Sequence, residues 1–187
     1  KYTAPTGSTD KFTAGHGLSS TPQLVITRRI NGGSQWYTYS FATGSEKFLL
    51  LNKINAQSST ATDFWGTDGM SATAIGLTNN QACYPNEEHI AYCFHSVDGY
   101  QKIGSYTGAG YPSTVTETTG FQPRWIMIKA TDLDRNWVIL DSERGYGNNL
   151  SANTNLAEYL TSNGQGMEVE FTSTGFIVRA NSSWINN

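Results

Sequence analysis

Charge is scarce in this chain of 187 residues: Asp, Glu, Lys and Arg together make up 14%. No basic cluster exceeds the pair Arg28-Arg29, and the net charge is −3. Nucleic-acid binding needs a basic stripe that neutralises phosphates, so that class of function is excluded. Long apolar runs are missing as well, and no stretch approaches the length that crosses a bilayer. There is neither a starting Met nor the apolar core of a signal peptide, which reads as a processed product or a window on a longer chain. Histidine is limited to His16, His89 and His95, far apart or on opposite strand faces, and no G-x-S-x-G elbow occurs. Only two cysteines are present, Cys83 and Cys93. They lack the spacing of a zinc site. A disulfide between them and an ordinary strand thiol at Cys93 both fit.

What is present points to β structure. Gly counts 19, aromatics reach 12%, and Ser and Thr are abundant, a profile of turn-rich antiparallel sheet with a hydroxylated surface. Low charge with few Lys fits an extracellular or virion surface. One pattern occurs nearly twice. Pro22 and Pro123, Trp36 and Trp137, and Asn52 and Asn153 each lie 101 positions apart. Around these anchors Pro22-Gln23-Leu24-Val25-Ile26 matches Pro123-Arg124-Trp125-Ile126-Met127, and Leu49-x-x-Asn52-x-x-x-Ala56 matches Leu150-x-x-Asn153-x-x-x-Ala157. The first copy continues through His89–Phe94, and the second stops before its equivalent.

Strands are expected at 24–28, 35–41, 47–51, 61–65, 71–77 and 88–94, then at 125–129, 136–140, 167–171 and 176–179. The sole helix candidate is Asn153 to Leu160. The expected fold is an all-β, antiparallel, jelly-roll-like sandwich of two pseudo-repeats, the second lacking its final strand. Residues 1–17 read as an extended arm, 18–98 as the first repeat, 99–120 as linker and repeat entry, and 121–187 as the second repeat.

Several groups of residues suggest chemistry. Asp132, Asp134, Asn136 and Glu143 match the offsets of a calcium loop, although Trp137 stands where the sharp turn wants Gly. The same residues suit a plain hairpin turn. Asp141 and Glu143 alternate onto one strand face, as a glycosidase pair would, but Ser40 and Ala42 occupy those positions in the first copy. Trp65 and Trp184 lie near turns and are candidates for a sugar-binding platform, whereas Trp36 and Trp137 read as core. Sequons at Asn149 and Asn181 are candidate glycosylation sites.

The run Gly99-Tyr100-x-x-Ile103-Gly104-Ser105-Tyr106-Thr107-Gly108 carries a resemblance, together with Thr119-Gly120-Phe121-Gln122-Pro123, Trp137–Asp141, Leu150-x-x-Asn153 and His89–Phe94. In these motifs the chain resembles an uncharacterised tandem β-domain family of virion-associated and tail-region proteins of environmental tailed phages. That resemblance implies a structural or adhesive role and supplies no catalytic residue. The closing strand usual in that family, of the Tyr-Ile-x-Met-Ala type, is absent from the second copy.

The resulting expectation is a non-enzymatic structural subunit of a homopolymeric extracellular fibril or virion appendage. Its partner is itself, it carries no cofactor, and nothing inserts into a membrane. The arm residues Lys1, Tyr2, Thr3, Ala4 and Phe12 are the expected assembly contacts, donated as a strand to the vacant position of a neighbour. The alternative is a carbohydrate-binding adhesin that recognises cell-surface glycans.

Overall fold

The computed structural model describes residues 1–7, 11–59, 64–66, 70–78, 83–145, 147–160, 167–179 and 184–186. The protein is all-β, built of antiparallel pairs, with no helix among the described residues. It divides into unit 1, Lys1–Ser96, and unit 2, Val97–Asn187.

Unit 1 carries a six-stranded sheet and a two-stranded one. The large sheet has the order β1 (Tyr2–Thr3), β8 (Glu88–Phe94), β3 (Leu24–Arg29), β4 (Tyr37–Ser40), β5 (Lys47–Leu50), β6 (Ser58–Ser59). Strands β3, β4 and β5 follow one another as neighbours, and β8 returns to lie beside β3, which is a Greek-key arrangement. The small sheet pairs β2 (Lys11–Gly15) with β7 (Ala74–Thr78). Alternation explains why these segments fold against each other. Val25, Tyr37, Tyr39 and Phe48 from the large sheet meet Ile75 and Leu77 from β7, with Phe12 and Ala14 of β2 at the margin. Phe64 fills the middle, its ring 4.4 Å from Phe48 and 5.3 Å from Trp65. Each such aromatic pair adds about 0.5–1.5 kcal/mol beyond its buried area.

Unit 2 is also built of two antiparallel sheets. One sheet has the order β10 (Trp125–Ile128), β11 (Val138–Asp141), β12 (Asn148–Ser151), β13 (Tyr159–Leu160); the other runs β14 (Val169–Thr172), β15 (Gly175–Val178), β9 (Val115–Thr118). Ile126, Val138 and Leu140 meet Met167, Val169, Val178 and Ile185 in its core. The helix expected over 153–160 is not formed: residues 154–158 are irregular and Tyr159–Leu160 pairs with β12.

The extended arm expected over 1–17, and its residues expected to pair with a neighbour, form strands that pair within the chain itself. Tyr2 and Thr3 lie opposite His89 and Glu88, and Phe12 lies opposite Leu77, all within unit 1. Ala4 is buried, its N–H donating to the Glu87 carbonyl and its own carbonyl accepting from Asn86. Burial of Tyr2, Ala4 and Phe12 against the unit's own core holds this segment in place. Likewise the expected linker 99–120 belongs to unit 2 and supplies β9.

Candidate functional site

The closest correspondence between the units is a carboxamide clamp behind the first hairpin. Asn52 Oδ1 accepts the Trp36 backbone N–H at 3.1 Å, and its Nδ2 donates to Gln35 Oε1 at 2.8 Å. At the matching positions Asn153 Oδ1 accepts from Trp137 N at 2.9 Å and Nδ2 donates to Asn136 Oδ1 at 2.8 Å. In each unit the side chain adds to a backbone bond at the same place, Leu51 N–H to the Trp36 carbonyl at 2.9 Å and Ala152 N–H to the Trp137 carbonyl at 3.2 Å. The clamp accounts for the Asn at each position, since only its carboxamide both accepts the backbone N–H and donates to the preceding side chain.

A second constellation locks the N-terminal strand. Thr27 Oγ1 donates to the Ile90 carbonyl at 3.0 Å, which uses its only proton. Tyr2 Oη, 2.8 Å away, is therefore the donor to Thr27, and Cys83 Sγ at 3.3 Å donates in turn to Tyr2. Burial pushes the Cys83 thiol up to about 12 and raises the Tyr2 phenol as well. Both cysteines are free thiols, so the candidate Cys83–Cys93 disulfide is corrected: Cys83 spends its sulfur inside this chain of hydroxyls. His89 stacks on Tyr2 with ring centroids 5.3 Å apart. Its Nε2 accepts the Tyr84 N–H at 3.2 Å, so Nδ1 carries the proton given to the Glu87 carbonyl at 2.9 Å. The ring is wholly buried, and desolvation lowers its pKa. His89 is a neutral interior strut.

The calcium candidates do not converge. The Asp132–Asp134 loop already holds a cation of the chain itself: Lys129 Nζ donates to the Ala130 carbonyl at 2.6 Å and the Leu133 carbonyl at 3.2 Å. Desolvation brings that amine down to about 8, against the opposing pull of Asp134 and Asp132. Asn136 is committed to Asn153, and Glu143 pairs at 3.0 Å with Arg124, both exposed. Among the described residues no three His, Cys, Asp or Glu side chains are grouped to hold a metal. Asp141 and Glu143 are not a catalytic pair either. Asp141 caps the following turn, its Oδ1 accepting from the N–H groups of Glu143 and Arg144, and its Oδ2 meets Arg144 Nε at 3.0 Å.

Trp65 is corrected as a sugar platform: it is fully buried, and its Nε1 donates to the Lys47 carbonyl at 2.8 Å. Trp184 is half-buried against the unit 2 core. Asn149 is corrected as a glycosylation site, being 2% exposed at the core position that Phe48 holds in unit 1; its Nδ2 is buried with no partner. Asn181 lies outside the described residues. The aromatic surface that sequence reasoning passed over is in unit 1. Arg28 sits 5.2 Å over the Trp36 ring, which lies 6.4 Å from the half-exposed Tyr92. Strand parity held the signal, since Arg28 and Tyr92 sit on the face opposite the core.

The other feature is an open edge. In unit 1 the Ile30 N–H donates to the Glu88 carbonyl and the Phe41 N–H to the Gln23 carbonyl. Even-numbered residues of β3 thus exchange hydrogen bonds with β8, and odd-numbered ones with β4. In unit 2 the Ser142 N–H donates to the Arg124 carbonyl. Arg124, Ile126 and Ile128 therefore face β11, and the backbone groups of Trp125 and Met127 point to the other side. There the sheet has no strand among the described residues, and Trp125 is 54% exposed.

Fold and site together define an all-β protein of two units, with no helix among the described residues. The chain belongs to a family described as a domain of unknown function, DUF7483, whose profile matches residues 1–187. No curated protein and no solved structure matches it.

Proposed function

We propose that the chain is a non-enzymatic structural subunit of a homopolymeric extracellular fibril or virion appendage, assembling by burial of β surface. The observation that carries this reading is the side of β10 on which no strand lies among the described residues, bordered by an exposed tryptophan. Unpaired strand edges are templates for association, and proteins that stay monomeric blunt them with Lys, Pro or bulges. The β10 sequence Trp125-Ile126-Met127-Ile128 contains none of these residues. The virion setting rests on the resemblance noted for the Gly99–Gly108 and Thr119–Pro123 motifs. Asp141 and Glu143 are paired with arginines and His89 with backbone groups, which supports structural roles for these side chains. Sedimentation velocity over a dilution series tests the reading. Species larger than the monomer that grow with concentration support it, and a single monomer boundary throughout refutes it.

A second reading, a glycan-binding adhesin, is favoured by the Arg28–Trp36–Tyr92 surface. A guanidinium over the Trp36 face, with the Tyr92 ring beside that tryptophan, suits an anionic sugar. Sugar-dependent quenching of Trp36 that Tyr92→Ala abolishes would support it; no quenching with any acidic glycan would remove it.

A further inference from the structure

Arg28 and Lys129 hold the same place in the two units. They lie 101 positions apart, and each follows the residue, Thr27 or Ile128, that pairs with the neighbour of the hairpin tryptophan, Tyr37 or Val138. Their cations are treated differently. In unit 2 the amine is met inside the chain by the Ala130 and Leu133 carbonyls, at 2.6 and 3.2 Å. The turn that follows supplies two carboxylates, Asp134 and Asp132, which act on its charge. The corresponding turn of unit 1 has Gly33 and Asn31 at those positions, and so no carboxylate. Arg28 makes no hydrogen bond or ion pair among the described residues, and its Nε is buried without a partner.

Unit 1 builds a surface around this unspent cation. Val25 and Tyr37 face the core, as do Ala91 and Cys93, so Arg28, Trp36 and Tyr92 project from the opposite face of the sheet. The guanidinium carbon stands 5.2 Å from the Trp36 ring centre, and that ring lies 6.4 Å from Tyr92 at 31°. Ile26, which pairs with Tyr92 on one side and Thr38 on the other, is buried on the same face. Tyr92 itself is half-exposed. Among the described residues neither the Trp36 indole N–H nor the Tyr92 hydroxyl has a hydrogen-bond partner.

We propose that Arg28, Trp36 and Tyr92 bind a hexuronic acid residue of an acidic polysaccharide, its carboxylate on the guanidinium and a C–H face of its ring against Tyr92. This deepens the glycan-binding reading and rests on it, adding the acidic group and the side chain that selects it. With Nε enclosed, Arg28 offers its two terminal nitrogens, whose parallel N–H bonds match both oxygens of one carboxylate. A carboxylate, not a sulfate, is what unit 2 places beside its own cation at this position. The indole N–H and the phenol are left to meet ring hydroxyls, which an acidic peptide does not offer.

The test titrates the full chain by calorimetry with oligomers of galacturonic and of glucuronic acid, the same oligomers with their carboxyls reduced to alcohols, a sulfated neutral oligosaccharide and a glutamate-rich peptide. One uronic acid oligomer is expected to bind at least about tenfold tighter than its reduced form. That preference should vanish in Arg28→Gln, and Tyr92→Ala should weaken both forms alike, while near-ultraviolet dichroism from buried Trp65 reports an intact unit 1. A Cβ at Gly33 meets nothing within 4 Å, so Gly33→Asp adds the carboxylate that unit 2 carries at Asp134. G33D is expected to weaken uronic acid binding at least about tenfold, and Gly33→Asn is not. A preference that survives in R28Q, a G33D affinity equal to that of G33N, or tighter binding of the peptide overturns the proposal. Equal affinity for the sulfated or the reduced sugars overturns the carboxylate assignment and leaves the glycan-binding reading standing, whereas no binding of any sugar removes both.

Discussion

Replacing Asn153 by Ala should weaken unit 2 far more than the matching change weakens unit 1. The substitution removes two hydrogen bonds, one from the Trp137 N–H at 2.9 Å and one to Asn136 at 2.8 Å. Each is worth about 1 kcal/mol net, and a buried donor left without a partner costs about 1–3 kcal/mol more. Trp137 is 4% exposed, so water cannot reach the stranded N–H. The expected loss for N153A is about 2–4 kcal/mol. Asn52→Ala removes the same pair of bonds, but Trp36 is only half-buried and its longer 3.1 Å contact is open to replacement by solvent. About 1–2 kcal/mol is expected there. Asn153→Asp keeps the acceptor for Trp137 and loses only the donor, and should fall between wild type and N153A. Differential scanning calorimetry separates the two units if each melts on its own. At 4–8 °C per kcal/mol for a domain of this size, N153A should lower the unit 2 transition by roughly 10–30 °C. A shift in N153A no larger than in N52A would refute the burial argument.

Deleting residues 1–12 should unfold or strongly destabilise unit 1, because it removes β1, buried Ala4 and part of β2; Tyr2→Phe, losing one hydroxyl from the Cys83–Tyr2–Thr27 chain, should cost about 1–2 kcal/mol by urea titration. Acid should destabilise unit 1 through His89: its folded pKa is depressed by burial, so the unfolded chain takes up the proton first. Stability then falls, by at most about 1.4 kcal/mol per pH unit, as pH drops below about 6.5, and His89→Gln should flatten that slope. At the other extreme Cys83, pushed up to about 12, keeps its proton in the folded state, so stability should decline as pH rises above about 9 and less so in Cys83→Ala. A native-state thiol assay should label Cys93 well before Cys83, with identical electrophoretic mobility with and without reductant.

The strands most visible in the sequence were short runs of apolar residues between turn residues. Leu24–Arg29, Lys47–Leu50, Glu88–Phe94 and Trp125–Ile128 are of this kind, and the antiparallel β architecture follows from them. The edges of both sheets were much harder to read. Tyr2–Thr3 is too short for any periodicity, and Lys11–Gly15 has only Phe12 and Ala14 turned inward between glycines. Its counterpart in unit 2 follows Tyr106, which no longer lies 101 positions from its match, so the shared entry was hidden by a change in spacing.

Site residues were less legible than strands, because motif offsets register residue types and not the directions in which they project. Asp132 and Asp134 carry a calcium-like spacing, yet the chain folds Lys129 onto the carbonyls of that loop. Trp65 looked free beside Gly66. At that glycine φ is +62°, and a Cβ would meet the Leu77 N at 3.2 Å, so the backbone passes close to β7 and carries Trp65 inside. Asn149 shows the converse, a polar residue in a core seat held by Phe48 in unit 1. That β10 is the end strand of its sheet among the described residues was visible only in the pairing.

Electron microscopy of native, undenatured material over a dilution series tests the central claim most directly. The structural-subunit account predicts filaments or ordered arrays that survive dilution, with density for a strand laid along Trp125–Ile128. Compact, monodisperse particles at every concentration would contradict it and leave the Arg28–Trp36–Tyr92 surface as the better guide to function.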